Sequence, residues 1–101
     1  MTSNPNELSQ AVVLCLGYGV AVAPISDVAK LVEIHGQQKG MDLFNDVRKL
    51  TDEAAQIPID WDNSSLEVAG KKVHAEMHRR YPYLDNKALT AIAWKFTFDW
   101  R

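Results

Sequence analysis

Two histidines four residues apart form the sharpest metal-binding pattern in the chain. On a helix, His74 and His78 lie on one face, so both imidazoles could reach a single ion. A catalytic zinc helix has the spacing His-Glu-x-x-His, whereas Glu76 stands two residues after the first histidine and is rotated away from both. Zinc deaminases also need a Pro-Cys-x-x-Cys sequence, which a chain with one cysteine lacks. Since no third ligand is evident, we expect two helix-surface histidines, no metal and no other cofactor.

The segment Asp60-Trp61-Asp62-Asn63-Ser64 begins like a calcium-binding loop, with oxygen ligands at its first, third and fifth places. The sixth place then holds Ser65 where such a loop needs glycine. The twelfth place holds Lys71 where it needs glutamate. We therefore predict an acidic loop that ends in a helix cap.

Residues that could carry catalysis are equally sparse. Cys15 lies within an apolar stripe, which is typical of a buried and unreactive thiol. No serine occurs in a Gly-x-Ser-x-Gly turn. Gly17 and Gly19 start a pattern that resembles a phosphate-binding turn, but Val22 replaces its third glycine and Pro24 interrupts the helix that should follow. With no positioned nucleophile, base or metal set, we expect a protein that is not an enzyme.

The elements that would position these residues are predicted to be helices. Apolar residues at spacings of three and four divide the chain into about five segments. We expect helices at residues 7–18, from a cap at Ser26 to 36, at 41–56, from a cap at Ser64 or Ser65 to 81, and from a cap at Asp85 onward. Residues 37–40 are predicted to form a turn and residues 1–6 to be loose. The predicted fold is all-α, a small bundle of four to five helices in one domain over residues 7–101.

The last segment has a second interpretation. Trp94, Phe96, Phe98 and Trp100 alternate with polar residues, which is also the pattern of a half-buried strand. An α+β domain with a short C-terminal strand or hairpin therefore stays open. We favour the helix because a 3.6-residue stripe beginning at Ala88 continues through the aromatic residues.

Composition indicates an ordinary globular protein, with 47% hydrophobic and 24% charged residues. The single cysteine excludes an internal disulfide and fits a reducing, cytoplasmic setting. Residues 8–26 are uncharged, but Gly17, Gly19 and Pro24 interrupt them, and a membrane span needs about 20 continuous apolar residues. We expect a buried core helix there, no signal peptide and no membrane association.

Charge is unevenly distributed along the chain. Residues 1–62 hold nine acidic and four basic residues, whereas residues 63–101 hold seven basic and four acidic ones. The basic fourth helix makes a nucleic-acid-associated regulatory protein the alternative function, using Lys71, Lys72, Arg79 and Arg80. The isoelectric point near 5.8 argues against nucleic acid. Asp42 and Asp46 also argue against nucleic acid, because they lie where a helix-turn-helix would place its recognition helix and would repel phosphates.

We therefore predict a non-enzymatic inhibitor that masks another protein, such as a toxin-neutralising immunity protein or antitoxin. The predicted partner has a basic surface, and the predicted contact residues are Asp52, Glu53, Asp60, Trp61 and Asp62. Trp61 packed inward over the core is the competing interpretation. Trp94 and Phe98 lie opposite the main apolar stripe of the last helix, so this helix is either central in the bundle or offers them to a second copy of the chain.

Overall fold

The computed structural model describes residues 5–100. Five helices form its framework, and the structure is 71% helical. In chain order these are α1 (Pro5–Leu16), α2 (Val28–His35), α3 (Gln37–Ala55), α4 (Leu66–Arg80) and α5 (Asn86–Asp99). No strand occurs between residues 5 and 100. The prediction of an all-α bundle is thus confirmed. The strand alternative for the C-terminal aromatic residues is wrong, because α5 continues through them to Asp99.

Three helices begin at side-chain caps, as the sequence predicts. Asp27, Ser65 and Asp85 each accept a hydrogen bond from the backbone N–H three residues later, at 3.1, 3.2 and 2.8 Å. Asp85 is the predicted cap of α5, and Ser65 is one of the two serines predicted to cap α4. The cap of α2 is Asp27 and not the predicted Ser26, so this helix begins one residue later than expected.

The turn predicted for residues 37–40 is wrong, because these residues form the first turn of α3. The chain reverses between α2 and α3 at Gly36 alone, whose φ of +87° lies in the left-handed region that glycine adopts readily. Gly40 then lies against the backbone of α2. A Cβ atom at Gly40 would be 2.6 Å from Val32 Cα, so only glycine permits this approach.

The first helix is shorter at its end than predicted and longer at its start. It begins at Pro5, within the segment expected to be loose; residues 1–4 of that segment lie outside the described part of the chain. It ends at Leu16 because Gly17 takes a φ of +72°. None of the described helices combines the length and the apolar character that crossing a membrane requires.

Helix α5 lies at the centre of the molecule. It packs against α1, α3 and α4, and its buried residues are Ala88, Leu89, Ala91, Ile92 and Phe96. Burial against several neighbours explains why this helix is apolar around most of its circumference. The molecule is nevertheless thin, with principal dimensions of 44 × 27 × 19 Å. Since packed helices are about 10 Å apart, 19 Å corresponds to two helix layers.

Candidate functional site

Two tryptophans from distant parts of the sequence form one aromatic surface. Trp61, in the loop between α3 and α4, lies parallel to the Phe96 ring, with centroids 6.4 Å apart and an interplanar angle of 5°. Its ring centroid is 5.3 Å from that of Trp100. Trp61 remains 38% exposed and Trp100 52% exposed, so Trp61 both packs on the core and faces solvent. We name the exposed residues Asp60, Trp61, Asp62 and Trp100 the tryptophan patch.

The loop that carries the tryptophan patch is held in place by hydrogen bonds. The Asn63 side-chain amide donates to the Asp60 carboxylate at 2.7 Å, and the Asn63 backbone N–H donates to the Asp60 carbonyl at 3.1 Å. On the other side of the patch, the Lys72 ammonium donates to the Pro58 carbonyl at 2.8 Å. A loop fixed in this way loses little conformational entropy when a partner binds.

Glu53, predicted to share a surface with this loop, is instead paired with the end of α4. The Tyr81 hydroxyl donates to one carboxylate oxygen at 2.6 Å and Arg80 donates to the other at 2.8 Å. These two hydrogen bonds, that of Tyr81 first, lower the pKa of Glu53 below its ordinary value. Asp52 is exposed on α3, beside Arg48 and Lys49. No hydrogen bond or ion pair among residues 5–100 connects Asp52 or Glu53 with the tryptophan patch.

The pairing of Glu53 extends into a larger charged group. Arg80 also donates to Glu76 at 2.8 Å, and Arg79 donates to the same carboxylate at 3.1 Å. The two guanidinium groups, that of Arg79 first, lower the pKa of Glu76 to about 2. The hydrogen bond to Glu53 and partial burial raise the pKa of Tyr81 to about 12. We name Glu53, Glu76, Arg80 and Tyr81 the Glu53 cluster; it joins the end of α3 to the end of α4.

These contacts also bear on the predicted nucleic-acid-binding residues. Arg79 and Arg80 are paired with carboxylates, and Lys71 lies 3.5 Å from Glu67. The remaining residue, Lys72, donates to the loop carbonyl described above. Three of the four cations are therefore paired with carboxylates, which offsets part of the positive potential that a phosphate backbone would meet.

The histidine pair lies beside the start of α5. His74 Nε2 is 3.0 Å from the Asn86 side-chain oxygen, and His74 and His78 line the same shallow depression. Within residues 5–100, no group of three His, Cys, Asp or Glu side chains is placed to hold a metal ion. The expected absence of bound metal stays a prediction.

Cys15 is buried, as predicted, with 1% of its surface exposed. Burial raises the pKa of its thiol above the ordinary value. The neutral thiol is a poor nucleophile. Cys15 therefore acts as a small apolar core residue.

A groove of about 590 Å³ runs beside α5, and the sequence did not indicate it. One wall is formed by α4 with Glu67, Lys71 and His74, and the other includes Tyr18 and Trp94. Small side chains between these walls leave the floor open: Gly70, Thr90, Ala93 and Thr97. Trp94 is in edge contact with Phe98, so both residues of the predicted dimer contact lie at or near this groove.

The sequence also missed Trp100 as part of the tryptophan patch. Its position four residues after Phe96 is a signal that both side chains share one side of α5. No family model, curated protein or solved structure matches this chain. The interpretation of the patch and the groove therefore depends on their own geometry.

Proposed function

We propose that the protein is a non-enzymatic inhibitor that masks a basic partner protein, as toxin-neutralising immunity proteins and antitoxins do. The tryptophan patch carries this proposal, because Trp61 and Trp100 are both exposed while their rings are in contact. Large aromatic side chains exposed next to one another are costly in water and are the commonest centres of protein interfaces. A reducing cytoplasm is the proposed setting, since it keeps the single thiol of Cys15 reduced.

The charges around the patch favour a basic partner over an acidic one. Asp60 and Asp62 flank Trp61 in the sequence and are exposed. Carboxylates at the rim of an interface accelerate the approach of a positively charged surface. An arginine of the partner can also stack on an indole ring while it pairs with a neighbouring carboxylate. Glu53 is engaged by Arg80 and Tyr81, and Asp52 lies beside Arg48 and Lys49, so the proposed interface includes neither of them.

The decisive experiment compares two patch variants with one matched control. Trp100→Ser removes an exposed ring and Asp62→Lys reverses an exposed charge. The control, Asp52→Lys, makes the same charge reversal at another exposed aspartate, on α3. Proteins that the parent captures from a lysate of the source cells are identified by mass spectrometry. Each one is then purified and titrated calorimetrically against all four forms.

We expect Trp100→Ser to raise the Kd by at least about 30-fold, the effect of losing a binding hot spot. Asp62→Lys should lower the association rate constant, chiefly at low salt, because a charge at the rim of an interface acts by attracting the approaching partner. Asp52→Lys should bind as the parent does, within about threefold, since an exposed charge outside the interface contributes little. Equal Kd values for the parent and both patch variants would rule out the patch as the binding surface.

Inhibition requires a separate measurement. Co-expression of the parent with the captured partner should suppress the partner's toxicity or enzymatic activity, and Trp100→Ser should restore it. Retention on DNA or RNA that is lost with Lys71→Glu would instead support the alternative, nucleic-acid-associated function. The tests therefore separate the two proposed functions.

A further inference from the structure

The groove beside α5 leaves part of the central helix without a neighbour. Three other helices cover α5, but Thr90, Ala93, Trp94 and Thr97 are only partly buried and line the open groove. Their positions in sequence place them on one side of the helix. The molecule is only two helix layers thick, so no third layer of its own helices covers this side in the described part of the chain.

The groove has a rigid aromatic wall and a floor of small residues. Trp94 is in edge contact with Tyr18 at 5.4 Å and with Phe98 at 5.7 Å between ring centroids, so two other aromatic rings hold it in place. On the floor, a Cβ atom at Gly70 would lie 3.0 Å from Thr97, which shows how closely α4 and α5 approach. A floor without large side chains admits the side chains of another helix.

The charges on the α4 wall can pair with those of a second copy. Glu67 and Lys71 are one turn apart on this wall and are 79% and 77% exposed. When two copies of a helix pack antiparallel across a two-fold axis, every contact occurs twice: if residue i of the first copy faces residue j of the second, then residue j of the first copy faces residue i of the second. An axis between these two residues therefore places Glu67 of each copy opposite Lys71 of the other. The ion pair that Glu67 and Lys71 form within one helix is exposed and contributes little to stability. Replacing it with ion pairs between the two copies therefore costs little free energy.

We propose that a second copy of this chain occupies the groove, giving a two-fold symmetric dimer in which α4 packs antiparallel to its equivalent. The apolar floor and the Trp94 wall are buried in the interface, and two Glu67–Lys71 ion pairs form between the copies. This surface shares no residue with the tryptophan patch. The dimer therefore does not depend on the proposed inhibitory function, and each copy keeps its patch.

Opposite charge reversals provide the test, with mass measured by sedimentation equilibrium. The parent is expected to form a species of twice 11.4 kDa at concentrations up to about 1 mM, the range of weak association. Glu67→Lys places only positive charges at the two positions, and Lys71→Glu places only negative ones. Each variant alone should weaken dimerisation about tenfold, because two attractive contacts become repulsive. An equimolar mixture of the two should dimerise as the parent does, because every contact between unlike copies is again attractive.

Lys49→Glu makes the same charge reversal at another exposed lysine, on α3; it is the matched control and should dimerise as the parent does. Circular dichroism verifies that each variant keeps its helical content. A parent that stays at 11.4 kDa throughout would overturn the proposal. The same conclusion would follow if the single variants dimerised as well as the parent, or if mixing them gave no recovery.

Discussion

Replacing Tyr81 with phenylalanine removes one hydroxyl from the Glu53 cluster and leaves the aromatic ring in place. The hydroxyl donates to Glu53 at 2.6 Å, between residues 28 positions apart in the chain. The ring packs against the buried core and should stay there in the variant. The substitution therefore isolates one hydrogen bond that connects the end of α3 with the residue after α4.

The expected loss follows from the environment of that hydrogen bond. A hydrogen bond to a charged group contributes about 1.5–3 kcal/mol to stability. The lower value applies here because Glu53 remains paired with Arg80 and one third of its side chain is exposed to water. We therefore expect Tyr81→Phe to lower the free energy of unfolding by about 1.5 kcal/mol. For a domain of this size, the loss lowers the melting temperature by roughly 6–12 °C.

Tyr83→Phe is the matched control, because it removes the same atom two residues away. Tyr83 is 48% exposed, and its hydroxyl makes no hydrogen bond to another residue in the described range 5–100. Urea unfolding followed by circular dichroism at pH 7 gives the free energy for the parent and both variants. The control should match the parent within about 0.5 kcal/mol.

The pH dependence of the difference tests the same hydrogen bond independently. Folding raises the pKa of Tyr81 from 10.0 to about 12, so its contribution is fully present below pH 10 and is lost as the pH rises toward 12. The stability difference between the parent and Tyr81→Phe should decline over this interval, as measured by melting temperature and tyrosinate absorbance. Equal stability of Tyr81→Phe and Tyr83→Phe at pH 7 would show that this hydrogen bond does not stabilise the fold.

Three further outcomes follow from the structure. Gly40→Ala should destabilise the protein by about 2 kcal/mol or more in urea unfolding, because the added Cβ meets the Val32 backbone at 2.6 Å. Helix propensity alone favours alanine by about 1 kcal/mol, so a more stable variant would contradict the tight packing. Folding lowers the pKa of Glu76 from 4.5 to about 2, so the ionised carboxylate stabilises the protein above pH 4.5 and this stabilisation is lost as the pH falls to about 2. When unfolding is measured as a function of acid pH, Glu76→Gln should therefore show a smaller loss of stability over this interval than the parent. Purified protein should contain no stoichiometric zinc and melt at the same temperature with a chelator, whereas one zinc per chain that His74→Ala removes would overturn this expectation.

Local patterns in the sequence were sufficient to predict the helices. The spacing of apolar residues located all five of them. The cap at Asp85 was identified correctly, and Ser65 was one of the two serines predicted to cap α4. Such signals depend on residues three or four positions apart, which a helix brings together whatever surrounds it. The burial of Cys15 followed from the same periodicity. The error at residues 37–40 arose because Gly36 alone takes the place of a longer turn. The error at Ser26 arose because the next residue, Asp27, can also cap a helix and does so here.

The candidate surfaces depended on contacts that no local pattern contains. Acidic residues close in sequence were predicted to act together, but Glu53 is paired with Arg80, 27 positions away, and so leaves the tryptophan patch with less charge than expected. Trp100 joins that patch because α5 passes beside the loop that carries Trp61. The sequence by itself determined where helices form and which faces are apolar, since both depend on neighbours within one or two turns. Only the tertiary structure decided which charges are neutralised and which aromatic rings share a surface, because both depend on how the helices cross.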